Sequence, residues 1–301
     1  MFPLSSVLPA FALFLAASAA GPIGRRAIST SYFQTFQLYE QYAAAAYCPG
    51  NNNSPNTKLI CPSGNCPLVQ SSNTSTVTEF QNTLETDATG FVATDNTNKV
   101  IVISFRGSVS LRNFITDFNF PLMRTSLCPN CQGSTGFWTS WVEARPQVLD
   151  AVKKGVASNP GYKIVATGHS LGGAMATFAA AELRNLGYNV DLCTFGSPRV
   201  GDDATATFIT NQAPAKGANW RMTHWNDPVP RLPPRAFDYA HVSPEYYISV
   251  GNGAQVTSND FITYQGITNS QGNAKWILTD ILAHGWYFNQ ISACNPGIIE
   301  I

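Results

Sequence analysis

Charged residues are scarce in this 301-residue chain. Asp, Glu, Lys and Arg together supply 12% of the residues, with 18 cationic and 18 anionic side chains, about half the usual charged share. No basic block occurs, so we expect no nucleic-acid partner. Histidine is scarcer still, with 4 residues, and this restricts the choice of a general base to a few positions.

Long apolar runs are also missing, and the N-terminal one is too short to cross a bilayer. It ends in small residues, and Ala17-Ser18-Ala19 fits the pattern of a signal-peptidase site. We therefore predict a signal peptide over residues 1–19 and a secreted, extracellular protein without a transmembrane segment. The dibasic pair Arg25-Arg26 predicts a short propeptide over residues 20–26, followed by a single domain over residues 27–301.

Seven cysteines are present, and in a secreted chain they are expected to pair. Two pairs could close small loops and a third could tie the two ends of the chain together: Cys61 with Cys66, Cys128 with Cys131, and Cys48 with Cys294. Cys193 is left over in an apolar strand, which predicts a buried free thiol. No second ligand pair accompanies the C-x-x-C sequence, so we expect no metal site. Asn52 and Asn73 begin acceptor sequences for N-glycans.

Strand and helix patterns alternate along the chain. The predicted helices cover Ser31–Ala46, Phe137–Val152, the segment after Ser170, and Ile277–Ile291. The predicted strands cover Gly90–Thr94, Val100–Phe105, Tyr162–Thr167, Val190–Phe195, Trp220–His224, Tyr246–Val250 and Phe261–Tyr264. Such alternation predicts an α/β fold with a mainly parallel central sheet and helices on both faces.

The most informative motif is Gly168-His169-Ser170-Leu171-Gly172, a G-x-S-x-G sequence between an apolar run and an Ala-rich helical segment. This setting is typical of a nucleophile elbow, in which a tight strand-to-helix turn lifts a serine hydroxyl clear of the sheet. The alternative is a glycine-rich turn in an ordinary strand–helix unit. A complete catalytic triad elsewhere in the chain would favour the elbow.

A serine nucleophile needs a general base, and the base needs an acid that orients it. In the elbow type of hydrolase the chain order is serine, acid, histidine. Asp227 follows a predicted strand and precedes Pro228, so it is the candidate acid. His241 and His284 both come later, and spacing leaves both open; the aromatic-rich surroundings of His284 favour it. His169, beside the serine, is interpreted as a packing residue.

The oxyanion of a tetrahedral intermediate needs N–H donors. Leu171, directly after the serine, is one candidate, and Ser108, in the loop after a strand, is the other. An amphipathic segment with Ser110 as N-cap follows. Its apolar face consists of Leu111, Phe114, Ile115 and Phe118. We expect this segment to be a lid that opens onto lipid, the alternative being a surface helix packed on the core.

Together, these residues resemble the secreted class 3 lipases of filamentous fungi. The resemblance spans Ser31 to Cys294. The matching stretches are Ser104–Ser108, Gly168–Gly173, Gly196–Gly201, Thr223–Pro234, Ser243–Tyr246, and Ala283-His284 with Trp286–Phe288. The resemblance implies an α/β-hydrolase fold, an oxyanion hole formed by Ser108 and Leu171, a lid near Ser110–Phe118, and the three disulfide pairs named above. It also implies the triad of Ser170, Asp227 and His284, which resolves the choice of histidine.

The same resemblance implies a carboxylic-ester hydrolase that acts on acylglycerols at a lipid–water interface, makes peripheral contact with lipid, and needs no metal or organic cofactor. A feruloyl esterase or a phospholipase A1 would share the fold and the chemistry, but the apolar lid face favours lipid. A non-catalytic lipid-binding module is a further alternative, and the presence of all three triad residues argues against it.

Overall fold

The computed structural model describes residues 24–81, 83–108 and 120–295. The predicted signal peptide and most of the predicted propeptide lie outside these ranges. So does the predicted lid, with Ser110, Leu111, Phe114, Ile115 and Phe118.

A nine-stranded sheet forms the centre of the described chain. In chain order its strands are β1 (Arg25–Arg26), β2 (Thr74–Phe80), β3 (Gly90–Asp95), β4 (Val100–Phe105), β7 (Lys163–His169), β8 (Val190–Phe195), β9 (Asn219–His224), β10 (Glu245–Ile248) and β11 (Phe261–Tyr264). Their spatial order is β1-β11-β10-β9-β8-β7-β4-β3-β2. The five central strands, from β10 to β4, are parallel to one another, and the outer strands are antiparallel. Strands β5 (Leu122–Arg124) and β6 (Gln132–Ser134) form a separate pair.

Helices cover both faces of the sheet, as the alternating pattern predicted. They span Thr30–Ala45, Pro67–Ser71, Thr135–Ser158, Leu171–Asn185 and Asp203–Gln212. Strand β4 divides its side chains between two apolar clusters because successive residues of a strand point to opposite faces. Ile101 and Ile103 pack with the helices Thr135–Ser158 and Leu171–Asn185, whereas Val102 packs with the helix Thr30–Ala45 on the other face. The mainly parallel α/β architecture is thus confirmed.

The helix predicted over Ile277–Ile291 is wrong. A 3₁₀ helix covers Ile281–Gly285, and turns make up the rest of this segment. Ile277 and Leu278, which would have continued the apolar face of a helix, are 91% and 80% exposed. The side chain of Asp280 accepts from the N–H of Leu282 and starts a short turn in their place. Strand β2 and the polar helix Asp203–Gln212 were not predicted from the sequence.

Three disulfides are present, joining Cys48 to Cys294, Cys61 to Cys66, and Cys128 to Cys131. The first ties the region after the helix Thr30–Ala45 to the C-terminal segment. Cys193 is free and buried. None of the described helices combines the length and the apolarity needed to cross a bilayer.

The two candidate glycosylation positions differ in accessibility. Asn52 is 2% exposed, and its amide nitrogen donates to the carbonyl of Ala46 at 3.0 Å. A glycan on that nitrogen does not fit this fold, so the prediction for Asn52 is corrected. Asn73 is exposed and stays a prediction.

Candidate active site

Ser170 lies in the turn between β7 and the helix Leu171–Asn185, near the middle of the sheet. Its backbone has φ 57° and ψ −129°, a region that non-glycine residues rarely occupy and that costs on the order of 1–3 kcal/mol. Glycines make the turn possible. A Cβ on Gly168 would collide with the backbone of Gly172, and one on Gly172 would collide with the carbonyl of Phe105.

Asp227 and His284 are hydrogen-bonded to each other and fully buried. The Nδ1 of His284 donates to Oδ2 of Asp227 at 2.8 Å. The same carboxylate accepts from the hydroxyl of Tyr287 at 3.2 Å and from the N–H of Val229 at 2.8 Å. Three donors therefore hold the carboxylate, and the bond to Nδ1 leaves Nε2 of His284 as the free ring nitrogen.

Two reactive atoms in this site lack partners. Ser170 Oγ and His284 Nε2 are both buried, and neither forms a hydrogen bond with a described residue. The serine–histidine bond itself is thus not formed in this structure, which is common in hydrolases without bound substrate because such contacts tighten on binding. A buried hydroxyl and a buried imidazole nitrogen, both unsatisfied, are what a nucleophile and its base would need to receive a substrate.

His169 connects the serine turn to the segment that carries His284. Its Nδ1 accepts from the hydroxyl of Tyr47 at 2.6 Å, and its Nε2 donates to the carbonyl of His284 at 2.7 Å. The two imidazole rings lie 4.3 Å apart, centroid to centroid. Burial, with a further contribution from His284, lowers the pKa of His169 well below its usual value, so the ring is neutral. No motif or spacing in the sequence indicates this role for Tyr47.

The remaining histidines are occupied elsewhere. His241, the second candidate base, contacts the carbonyl of Pro230 through Nε2 at 2.5 Å, and burial lowers its pKa. His224 lies against the carbonyl of Ala283 through Nδ1 at 2.9 Å, and burial lowers its pKa too. Of the four histidines, His284 is the one whose ring donates to the carboxylate of Asp227.

Both candidate oxyanion donors belong to segments that adjoin Ser170. Leu171 is the first residue of its helix, where backbone N–H groups have no partner within the helix. The segment ending in Ser108 passes directly beside the turn, since a Cβ on Gly107 would lie 3.0 Å from Cβ of Ser170. Only glycine permits this approach.

Within the described ranges, one group of three cysteines has the spacing of potential metal ligands. Cys48, Cys61 and Cys294 bring their ligand atoms within 4.8 Å of one another. All three sulfurs belong to disulfides, so this group does not offer thiolates to a metal.

Comparison with known proteins gives a consistent result. Residues 102–237 match the family model Lipase (class 3), and residues 5–76 match the Lipase 3 N-terminal region. Secreted mono- and diacylglycerol lipase A of Penicillium cyclopium is 42% identical over 284 residues, 92% of each chain. Secreted mono- and diacylglycerol lipase 1 of Fusarium solani is 43% identical over 270 residues, covering 89% of this chain and 80% of its own. The crystal structure of the mono- and diacylglycerol lipase from Aspergillus oryzae superposes with a TM-score of 0.84 and 42% identity, covering 88% of this chain and 100% of its own.

Proposed function

Because this chain belongs to the class 3 lipase family, we propose that it is a secreted lipase that hydrolyses mono- and diacylglycerols. Ser170, Asp227 and His284 form its catalytic triad. The observation that carries this proposal is the buried Asp227–His284 hydrogen bond, with the free Nε2 of His284 and the free hydroxyl of Ser170 in the same site. The substrate class rests on the names of the relatives at 42–43% identity.

The reaction is a double displacement at the ester carbonyl. His284 Nε2 accepts the proton of Ser170 as Oγ attacks the carbonyl carbon, while the negatively charged Asp227 stabilises the imidazolium that forms. The oxyanion receives hydrogen bonds from the N–H of Leu171 and from Ser108. His284 then gives its proton to the leaving alcohol, and an acyl group stays on Ser170. Water, deprotonated by the same imidazole, attacks the acyl-enzyme and releases the fatty acid.

Two further assignments belong to this proposal. The segment that begins at Ser110 lies outside the described residues; in this proposal it acts as the lid that controls access to the site and meets lipid with its apolar side chains. The mature enzyme begins near Ala27, after loss of the signal peptide and of residues 20–26. That processing would remove β1, an edge strand of two residues paired with β11, and would leave the rest of the sheet intact.

The substrate is tested by comparing initial rates on emulsified monoacyl-, diacyl- and triacylglycerol, on phospholipid and on methyl ferulate. We expect the highest rates on the first two. A higher rate on methyl ferulate than on any acylglycerol would overturn the lipase assignment, and a dominant rate on phospholipid would indicate a phospholipase A1.

The nucleophile is tested with the variant Ser170→Ala. We expect kcat/KM for a soluble ester to fall by about 10⁴-fold or more, because the covalent route is lost. Ser292→Ala is the matched control, since that hydroxyl is also buried and has no partner among the described residues, and Ser292 has no role in the proposed chemistry. Equal activity in Ser170→Ala and Ser292→Ala would contradict the proposed triad.

A further inference from the structure

A chain of hydrogen bonds joins three segments that the proposed chemistry uses. The backbone N–H of Gly107 donates to the hydroxyl of Tyr47, and that hydroxyl contacts Nδ1 of His169 at 2.6 Å. The Nε2 of His169 contacts the carbonyl of His284 at 2.7 Å. We call these four groups the Tyr47 chain. It links the oxyanion loop, residues 106–108, to the serine turn and to the segment that carries the proposed base.

The hydrogen bonds of the Tyr47 chain can run in one direction only. A carbonyl accepts and does not donate, so the carbonyl of His284 requires the proton of His169 on Nε2. Nδ1 of His169 is then an acceptor and takes the proton of the Tyr47 hydroxyl, whose oxygen accepts from Gly107. The protonation states agree with this direction. Burial raises the pKa of Tyr47, which keeps its proton, and lowers the pKa of His169, which stays neutral.

Gly107 lies in close contact with the Tyr47 chain. A Cβ on Gly107 would lie 2.2 Å from the hydroxyl oxygen of Tyr47, 2.9 Å from the carbonyl oxygen of His169 and 3.0 Å from Cβ of Ser170. The Tyr47 hydroxyl is thus one of three groups against which the oxyanion loop packs. Because Ser108 is the next residue, a shift of Gly107 would move this proposed oxyanion donor relative to Ser170.

The backbone around Tyr47 is held on both sides. The side-chain amide of Asn51 donates to the carbonyl of Ala45 at 2.8 Å, and Cys48, directly after Tyr47, forms the disulfide with Cys294. The side chain of Tyr47 is itself buried. Its hydroxyl therefore has a defined position, which a group that orients other groups requires.

We propose that Tyr47 is a positioning residue, whose hydroxyl holds the oxyanion loop and His169 in the arrangement that ester hydrolysis needs. This role rests on the proposed function, because it belongs to the same reaction. Tyr47 acts through Gly107 on the oxyanion donor Ser108 and does not contact the substrate. Its effect falls on kcat more than on KM, since an oxyanion donor stabilises the transition state.

The variant Tyr47→Phe removes the hydroxyl and keeps the ring. We expect kcat for a soluble ester to fall about 10- to 100-fold, because Ser108 is displaced rather than deleted, and KM to change by less than about twofold. The matched control is Tyr42→Phe, which removes another buried tyrosine hydroxyl, bonded to Asp95, and should leave kcat unchanged. An unchanged kcat in Tyr47→Phe, or equal losses in both variants, would overturn the proposed role.

A double-mutant cycle with Ser108→Ala tests the path through the oxyanion loop. In the Ser108→Ala background, the loss caused by Tyr47→Phe should be smaller by at least about threefold, because the hydroxyl that Tyr47 positions is already gone. Fully additive losses would overturn the action of Tyr47 on Ser108.

Two variants of His169 test the chain at its next member, and they do so even if Tyr47→Phe does not fold. His169→Leu breaks both hydrogen bonds and should lower kcat. The amide of His169→Gln can accept through oxygen and donate through nitrogen, so it should recover at least about threefold of that loss. Equal kcat in the Leu and Gln variants would contradict a role for these hydrogen bonds.

Labelling with a fluorophosphonate separates failure of this role from failure of the proposed function. The adduct on Ser170 should form about tenfold or more slowly in Tyr47→Phe than in the wild type. No adduct on Ser170 in the wild type would overturn the proposed function itself. Equal labelling rates in the wild type and Tyr47→Phe would overturn the role of Tyr47 alone.

Discussion

The two halves of the candidate active site are built in different ways. Ser170 follows a buried strand and begins a buried helix, and its geometry depends on glycines that let backbone approach backbone. His284 lies in a C-terminal segment of 3₁₀ helix and turns, where no ladder of backbone hydrogen bonds fixes it. Its position depends on individual contacts with Asp227 and His169. The nucleophile is thus placed by regular structure, and the base by a few side-chain bonds and close contacts.

This difference predicts that the histidine half is the more sensitive to a small steric change. Gly196 has φ +57°, and a Cβ there would lie 2.7 Å from the hydroxyl of Tyr287 and 2.9 Å from Cε1 of His284. Gly196→Ala should therefore displace the imidazole by several tenths of an ångström. We expect kcat/KM to fall by about 10²-fold, since displacements of this kind are costly in catalysis.

The control for this variant is Gly161→Ala. Gly161 also has positive φ, +85°, but a Cβ there would meet nothing within 4 Å. It should lose stability by about 1–2 kcal/mol from backbone strain and keep full activity. Equal losses of activity in the two variants would show that strain, rather than contact with His284, is responsible.

The half of the site with regular secondary structure could be predicted from the sequence, and the irregular half could not. The strand preceding Ser170 and the helix following it were predicted because apolar runs and helix-forming residues have recognisable patterns. The segment around His284 was predicted as a helix, but its apolar residues divide between exposed Ile277 and Leu278 and buried Tyr287. Polar contacts between residues that are far apart in the chain, such as the hydrogen bond between Tyr47 and His169, leave no periodic pattern in the sequence. In this segment, the resemblance to a known family supplied the candidate histidine that spacing left open.

Neutral His169 contacts both halves of the site. Because its neutral form is the one that the fold holds, lowering the pH should lower the free energy of unfolding. The pKa values of His169, His224 and His241 are all lowered by burial. Below pH of about 6.5 the unfolded chain binds protons that the folded chain does not, so the free energy of unfolding falls as pH falls. Each histidine contributes up to about 1.4 kcal/mol per pH unit. Burial raises the pKa of Glu40. At this residue the folded chain binds a proton that the unfolded chain has released, so Glu40 opposes the trend.

Urea unfolding at pH 7.5, 6.5, 5.5 and 5.0 measures this dependence. His241 belongs to neither half of the site, and His241→Gln should reduce the slope of the free energy of unfolding against pH by the equivalent of about one proton. Glu40→Gln should make that slope steeper over the same pH range. A free energy of unfolding that stays constant from pH 7.5 to 5.0 would contradict the lowered pKa values of these histidines.

The smallest expected effect concerns a single hydrogen bond in the histidine half. Tyr287→Phe removes the donor at 3.2 Å from Asp227 and leaves two others on the carboxylate, so we expect kcat to fall about 3–10-fold. The matched control is Tyr42→Phe, which removes a bond from another buried tyrosine to the buried carboxylate of Asp95. Both variants should lose about 1 kcal/mol of stability, but only Tyr287→Phe should lower kcat. Equal kcat in the two would mean that the remaining two donors orient Asp227 sufficiently, and that the histidine half is as firmly built as the serine half.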